Sequence, residues 1–462
     1  MRARFPHPPG TATACTRTPA HRNATVGCVS DRSYRRPRVL SQLREHLRDT
    51  FWFAPTAGLV CVLVLWGVAA ELDAEIISSL QDQQEYEIIK DLIELANDAK
   101  TIVTTISSAM MTFIGVVFSI SLVAVQMASG QLTPRVVRIF VRSRITKATF
   151  TVFLATFLLS LLVLTSFESK TDPRLVTSVP FVQGVLTMVM VGLSVLLFIA
   201  FVTSMLRLMQ VGPVVDRIAR EAMHAVVRQP GGEREPAPLA VESAWVPYNG
   251  RAGVLRDVNV ARLVRIARRQ GVVLRLIPRI GDFVVPGTPM LAVHGTAELS
   301  RRALSYTVSV GVERTFPQDL GFGLRQLSDI ALRALSAAVN DPTTAVQCLD
   351  RIVQFLTVVA KKPLGAVHHR DGKGEVRLVQ DVPGWTDLVD LALAEVRLHS
   401  AGNPQVSRRL LAGIDDLLLI APEERKEPLI RHRALLVQAV ERTVPEAAER
   451  EFALLPDRQG IG

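Results

Sequence analysis

The chain has 462 residues, of which 48% are hydrophobic and only 6% aromatic, a balance too apolar for an ordinary soluble protein and suited to one that is part membrane-embedded and part globular. Its net charge of +10 comes mostly from arginine, and the excess of Lys and Arg in the cytoplasmic loops of membrane proteins accounts for it, so no nucleic-acid partner is expected. Cys15, Cys28, Cys61 and Cys348 are scattered, with no CxxC and no His pattern beside them, which excludes a disulfide framework and a zinc site of the usual spacing.

Residues 1–40 form a basic arm rich in Pro, Thr and Arg, without apolar periodicity. It is expected to be disordered, and its composition also suits translated upstream DNA, with a natural start near Val26, Val29 or Val39. No apolar run precedes Phe51, so a cleavable secretory signal is not expected.

Four apolar stretches follow, at about 51–72, 101–129, 150–167 and 179–209, each near or beyond the length that a bilayer demands. Arg32, Arg35, Arg36, Arg38, Arg44 and Arg48 precede the first span, Arg135, Arg138, Arg142, Arg144 and Lys147 lie between the second and third, and Arg207, Arg217 and Arg220 follow the fourth. Four spans put all three basic segments on one side, which the positive-inside rule makes cytoplasmic. The acidic linker between the first two spans, from Asp73 to Asp98, is then external, and Ile76, Ile77, Leu80, Ile88, Ile89, Leu92 and Leu95 give it the spacing of an amphipathic helix running into the second span.

The second span has a polar face. Thr101, Thr105, Ser108, Thr112, Gly115, Ser119 and Gln126 recur at steps of three, four and seven, with Leu122 as the apolar interruption. Two readings remain open: a neutral-lined pathway, or a helix interface in which small residues permit close approach and hydroxyls bond across the contact. Segments 101–129 and 150–167 contain no ionisable residue, which disfavours a proton relay or a voltage sensor.

After the spans, residues 211–240 read as a helix and a Pro/Gly/Glu linker, and 241–310 as a β-rich segment with a short basic helix at 258–270 ended by Gly271. The pattern of Gly281, Asp282, Val284, Gly287 and Leu291 resembles the hairpin of lipoyl-like and biotinyl-like domains, which implies a small β-barrel. The carrier chemistry does not follow, because no lysine occurs between Thr171 and Ala360; the same absence excludes a P-loop lysine or a Schiff base there. Residues 311–462 read as mainly helical. Asn340, Asp341 and Pro342 end one helix and cap the next, and Arg314, Asp319, Arg325, Asp329, Asn340 and Asp341 either converge on one polar site or serve as caps and salt bridges. His368, His369 and Asp371 are not expected to bind metal, since adjacent strand histidines point apart and DGKG is a hairpin turn.

Residues 111–135, MTFIGVVFSISLVAVQMASGQLTPR, together with the stretch from Arg314, RTFPQDLGFGLRQLSDIALRALSAAVNDPTTAVQCLDRI, resemble the bacterial membrane proteins grouped as domain of unknown function 2254. Where that family commonly carries Pro after the Ser of the RALS motif, this chain has Ala337. The resemblance implies topology and carries no established activity.

The expected fold class is therefore an α-helical membrane domain of four transmembrane helices, 41–210, plus a cytoplasmic α+β domain with a small lipoyl-like barrel and a helical C-terminal part. The expected function is an oligomeric channel or transport-like protein of the inner membrane, gated by its cytoplasmic domain, with both termini cytoplasmic. The alternative is a non-conducting scaffold or sensor whose cytoplasmic domain binds a partner or an anionic ligand. Neither an enzyme, a metal nor a cofactor is expected. The expected partners are the lipid bilayer, further copies of the chain, and anionic headgroups near the basic loops.

Overall fold

The computed structural model describes residues 52–131, 143–167, 178–232, 241–296 and 307–459. The N-terminal arm with its alternative starts, and Arg135, Arg138 and Arg142, lie outside the described residues.

Among the described residues, four helices are long and apolar enough to cross a membrane: α1 (Phe53–Asp82), α2 (Tyr86–Gln131), α3 (Arg144–Thr165) and α4 (Phe181–Met209). Local chemistry sets their ends. Pro55 sits in the first turn of α1, where its missing N–H is no loss. Ser143 caps α3 by accepting from the Thr146 N–H at 3.3 Å. Gln84, at φ +61°, makes the tight turn between α1 and α2.

Helix α2 has 46 residues and so runs about 69 Å, against roughly 30 Å of hydrocarbon. It is thus more than twice as long as a span requires, and its N-terminal turns are held to the end of α1 through Ile77, Ile89 and Ala96. α3 is the central helix and packs on the other three. One cluster joins it to α1 and α2 through Val62, Val103, Leu159 and Val163, and another joins it to α2 and α4 through Phe113, Phe153 and Phe198. Gly58 marks the α1–α3 crossing, where a Cβ would lie 2.2 Å from the Thr151 methyl.

A single extended residue, Gln210, separates α4 from α5 (Val211–Arg228). Then come β1 (Glu242–Pro247), β2 (Gly253–Val258), α6 (Val260–Gln270), β3 (Val273–Leu276), β4 (Phe283–Val284), β5 (Pro289–His294) and β6 (Val308–Gly311). The rest is α7 (Leu320–Ala334), α8 (Pro342–Ala360), β7 (Val367–Arg370), β8 (Val376–Gln380), α9 (Trp385–Ser400), α10 (Pro404–Ile420), α11 (Glu427–Thr443) and α12 (Ala447–Ala453).

The expected barrel does not form. Gly281 and Gly287 do adopt the positive φ of turn glycines, +100° and +89°, but the strands divide into two open sheets, β1-β5-β3-β8-β7 and β4-β2-β6. The reason lies far along the chain. β3 pairs in parallel with β8, Leu274 opposite Leu378, so the hairpin of β7 and β8 occupies the edge that closure would have required. The helical core packs α5 with α7 to α11 around Leu324, Leu349, Ile352, Phe355 and Leu393. Arg425 closes the C-terminus of α8 by donating to the carbonyls of Val359, Ala360 and Lys362 at 2.9, 2.8 and 2.8 Å, a cation where the helix dipole favours one.

Candidate functional site

The buried residues of α2 include Val103, Ser107, Met110, Val117, Ser121 and Ala124, recurring at three-, four- and seven-residue steps against α3 and α4. Thr105, Ser108, Thr112, Gly115, Ser119 and Gln126 are all exposed. At about 100° per residue their face is centred roughly opposite the packed one, so it points away from the rest of the bundle. A Cβ built on Gly115 meets nothing within 4 Å, in contrast to Gly58. Thr105, Ser108 and Thr112 each donate to the carbonyl four residues back, at 2.9, 3.2 and 3.4 Å. Among the described residues the Gln126 amide has no hydrogen-bond partner.

A second polar system lies inside the bundle, between α3 and α4. Thr146, Thr149, Thr156 and Ser160 from α3 and Gln183, Thr187 and Ser194 from α4 are fully buried. The Thr156 and Ser194 hydroxyls are 3.0 Å apart, and the Thr149 hydroxyl reaches the Leu197 carbonyl at 3.4 Å. At the end of this seam Asp73 of α1, 1% exposed, accepts from the N–H groups of Val182 at 2.7 Å and Gln183 at 3.3 Å. α4 has no cap of its own, because Pro180 occupies the N-cap position. Asp73 therefore caps it across the bundle, an anion at the positive end of the helix. The Gln183 amide is buried beside that carboxylate, near enough to interact with it, although neither its nitrogen nor its oxygen reaches full hydrogen-bond geometry.

Sequence reading missed this seam. Asp73 sits in a run of acids that reads as a solvated linker. Two signals were available. Thr146, Thr149, Thr156 and Ser160 recur at steps of three, seven and four, and Gln183, Thr187 and Ser194 at four and seven, which puts each set on one helical face. A carboxylate also directly follows an apolar span, while the start of α4 lacks a cap.

The six polar residues expected after the spans separate into three interactions along one helix and its end. Arg314 and Asp319 form a two-pronged pair, Nε to Oδ2 and Nη2 to Oδ1, both at 2.7 Å, while Asp319 also accepts from the Gly321 N–H at the start of α7. Burial pushes the Asp319 carboxyl up, in opposition to Arg314 and the backbone N–H groups that favour the anion. Further along α7, Arg325 bridges Asp329 at 2.7 Å and Glu395 of α9 at 3.0 Å. Burial disfavours its charge, but the two carboxylates outweigh that and hold the guanidinium above its usual range. Asp341 caps α8 by accepting from the Thr344 N–H at 3.0 Å, with Asn340 at φ +47° before it. His368 and His369 lie on β7, and His369 faces Gln380 across the hairpin at 3.2 Å. Asp371 accepts from the turn N–H groups of Lys373 and Glu375 and from Arg377.

A family described as predicted membrane proteins, domain of unknown function 2254, matches residues 48–416. The chain belongs to this family. Uncharacterised proteins of Mycobacterium tuberculosis and Mycobacterium bovis are 29% identical to it over 418 residues, covering 87% of this chain and 78% of theirs. No solved structure matches.

The two stretches that first suggested the domain 2254 family occupy distinct places. The first begins in the C-terminal half of α2 and carries both packed residues, such as Val117 and Ala124, and exposed ones, such as Thr112 and Ser119. The second opens with a joint between the β-rich region and the helices. There Gln318 mimics a strand by bonding both the N–H and the carbonyl of Val258, at 3.1 Å each, and Thr315 reaches the Arg256 carbonyl at 3.3 Å. Gly281 lies against the Arg314–Asp319 pair so closely that a Cβ would stand 2.6 Å from Asp319 Oδ2.

Proposed function

We propose that this membrane protein acts as a homo-oligomer in a bacterial inner membrane, in which the polar face of α2 meets its counterpart on neighbouring copies and lines a neutral pathway gated by the C-terminal part. The observation that carries the reading is the direction of that face: Thr105, Ser108, Thr112, Gly115, Ser119 and Gln126 lie opposite the packed stripe of their own helix. Lipid hydrocarbon offers Gln126 no partner, whereas water, a headgroup or another protomer does. The positive-inside rule applied to the basic segments supports cytoplasmic termini with the α1–α2 turn outside. The reading is of a conducting or transport-like protein and not of an enzyme.

A second reading is a non-conducting scaffold or sensor, favoured by the hydroxyls of Thr105, Ser108 and Thr112, which are satisfied by their own helix and need no water. Ser119→Cys in a background without the native cysteines tests the shared premise, since oxidative cross-linking between copies is expected in either case. Solute flux into liposomes separates the two. A pathway predicts flux above empty vesicles that falls with Ser119→Leu and Gln126→Leu. Cross-linking without flux supports the scaffold, and no cross-linking removes both.

A further inference from the structure

At the basic end of the bundle a cavity of about 650 Å³ opens between the last turns of α4, the first turn of α5 and one face of α8. Arg207 enters it from α4, Arg220 from α5 and Arg351 from α8, and Gln347 lies over the first turn of α5 beside Gly212. Its two carboxylates are already engaged. Asp216 is shared by Arg220 and Arg351, the latter at 2.8 Å, and Asp350 accepts from Arg409 at 2.7 Å. Three guanidiniums thus line the cavity against two carboxylates, one of which, Asp350, is already bound to Arg409 outside it, and Arg207 has no ion-pair partner among the described residues. No side chain caps the first turn of α5, and although Pro213 has no N–H, those of Val211 and Gly212 leave the positive helix end beside the same space.

The height of the cavity narrows the ligand. Arg207 follows directly on the apolar run of α4, at the level where a spanning helix leaves hydrocarbon for headgroups. An excess of arginine, a helix N-terminus and an amide side chain together match a phosphate diester, which guanidinium recognises with paired N–H donors. We propose that this cavity binds the phosphate of an anionic phospholipid, held by Arg207, Arg220 and Arg351 with Gln347 as a neutral donor. The same surplus of positive charge disfavours a zwitterionic lipid, whose choline it repels. The proposal depends on the chain lying in a bilayer and not on whether α2 conducts.

The test uses full-length protein in neutral detergent, titrated with short-chain phosphatidylglycerol, with short-chain phosphatidylcholine and with inorganic phosphate, binding being followed by thermophoresis. Phosphatidylglycerol is expected to saturate and phosphatidylcholine to bind about tenfold more weakly. Arg207→Gln, at an exposed position, is expected to weaken phosphatidylglycerol about tenfold with an unchanged circular dichroism spectrum. Asp216→Asn removes the competing carboxylate and is expected to tighten it several-fold, which a purely structural role for the Asp216–Arg351 pair does not predict. Equal affinity for the two lipids, or an Arg207→Gln variant that binds like the parent, overturns the proposal. Inorganic phosphate binding as tightly as phosphatidylglycerol overturns the lipid source and leaves a site for a soluble phosphate.

Discussion

Asp73 offers the sharpest test of how the bundle is held. Its carboxylate takes two N–H groups at the start of α4, at 2.7 and 3.3 Å, from a position 1% exposed. Asp73→Ala leaves those donors buried without a partner. Hydrogen bonds to a charged group contribute roughly 1.5–3 kcal/mol, and an orphaned donor costs about 1–3 kcal/mol. Polar contacts within membranes fall at the lower end, near 0.6 and up to about 1.7 kcal/mol, because the unfolded helices find other partners. A loss of about 2–4 kcal/mol follows for Ala. Asn keeps one acceptor oxygen and is expected to lose about half of that. In detergent this corresponds to a fall of roughly 5–10 °C in the unfolding midpoint of the membrane part.

Gln183→Leu supplies the contrast. The Gln183 amide stands beside the Asp73 carboxylate without reaching full hydrogen-bond geometry, so an apolar side chain of similar size is expected to cost no more than about 1 kcal/mol, well below the loss at Asp73. Thermal unfolding followed by tryptophan fluorescence reads both variants. The capping argument fails if Asp73→Ala unfolds within about 1 °C of the parent. A Gln183→Leu variant as damaged as Asp73→Ala would mean that the amide is a working partner of the Asp73 carboxylate and part of the cap.

Two further outcomes concern the region after the spans. Gly281→Ala forces a side chain into φ +100° and onto the Arg314–Asp319 pair, 2.6 Å from one carboxylate oxygen; strain and damage to a buried ion pair together are expected to cost about 3 kcal/mol or more, read as a lowered unfolding midpoint. His369 is pushed down to about 4 by burial, from an ordinary 6.5, so the unfolded chain binds the extra proton between those values; stability is full above pH 6.5 and falls by up to roughly 3 kcal/mol as the pH drops through the window, a slope that His369→Phe should remove.

Sequence reading succeeded where the deciding chemistry is local. Asp341 and Pro342 mark the start of α8 because capping and the proline constraint act within one turn. The four apolar helices are legible from length and hydropathy alone. The polar stripe of α2 is legible from its period, but its direction is not, since periodicity says that Thr105 and Ser119 share a face and nothing about what that face meets. The barrel was misread for the opposite reason. The turns at Gly281 and Gly287 are correct locally, yet the sheet is decided by the pairing of Leu274 with Leu378, about a hundred residues apart. Asp73 was hidden by its neighbours: five residues on either side it is one acid among several, and only the path of α4 singles it out.

The same placement constrains how a change in the C-terminal part could reach α2. α5 is fixed in the helical core by Val214, Val215, Ile218 and Ala222, all buried, and it is joined to α4 through Gln210 alone. A displacement of α5 therefore has little slack in which to be absorbed and must tilt or rotate α4. α4 in turn meets α2 where Phe198 packs edge-on against Phe113, with ring centroids 5.4 Å apart. At its far end α4 is held to α1 by Asp73, so any such tilt would pivot there and would move the Arg207 end most. The arginine cavity lies across the α4–α5 joint, so a ligand seated between Arg207 and Arg351 would brace the moving end, and its effect on the outward face of α2 would pass through Phe198.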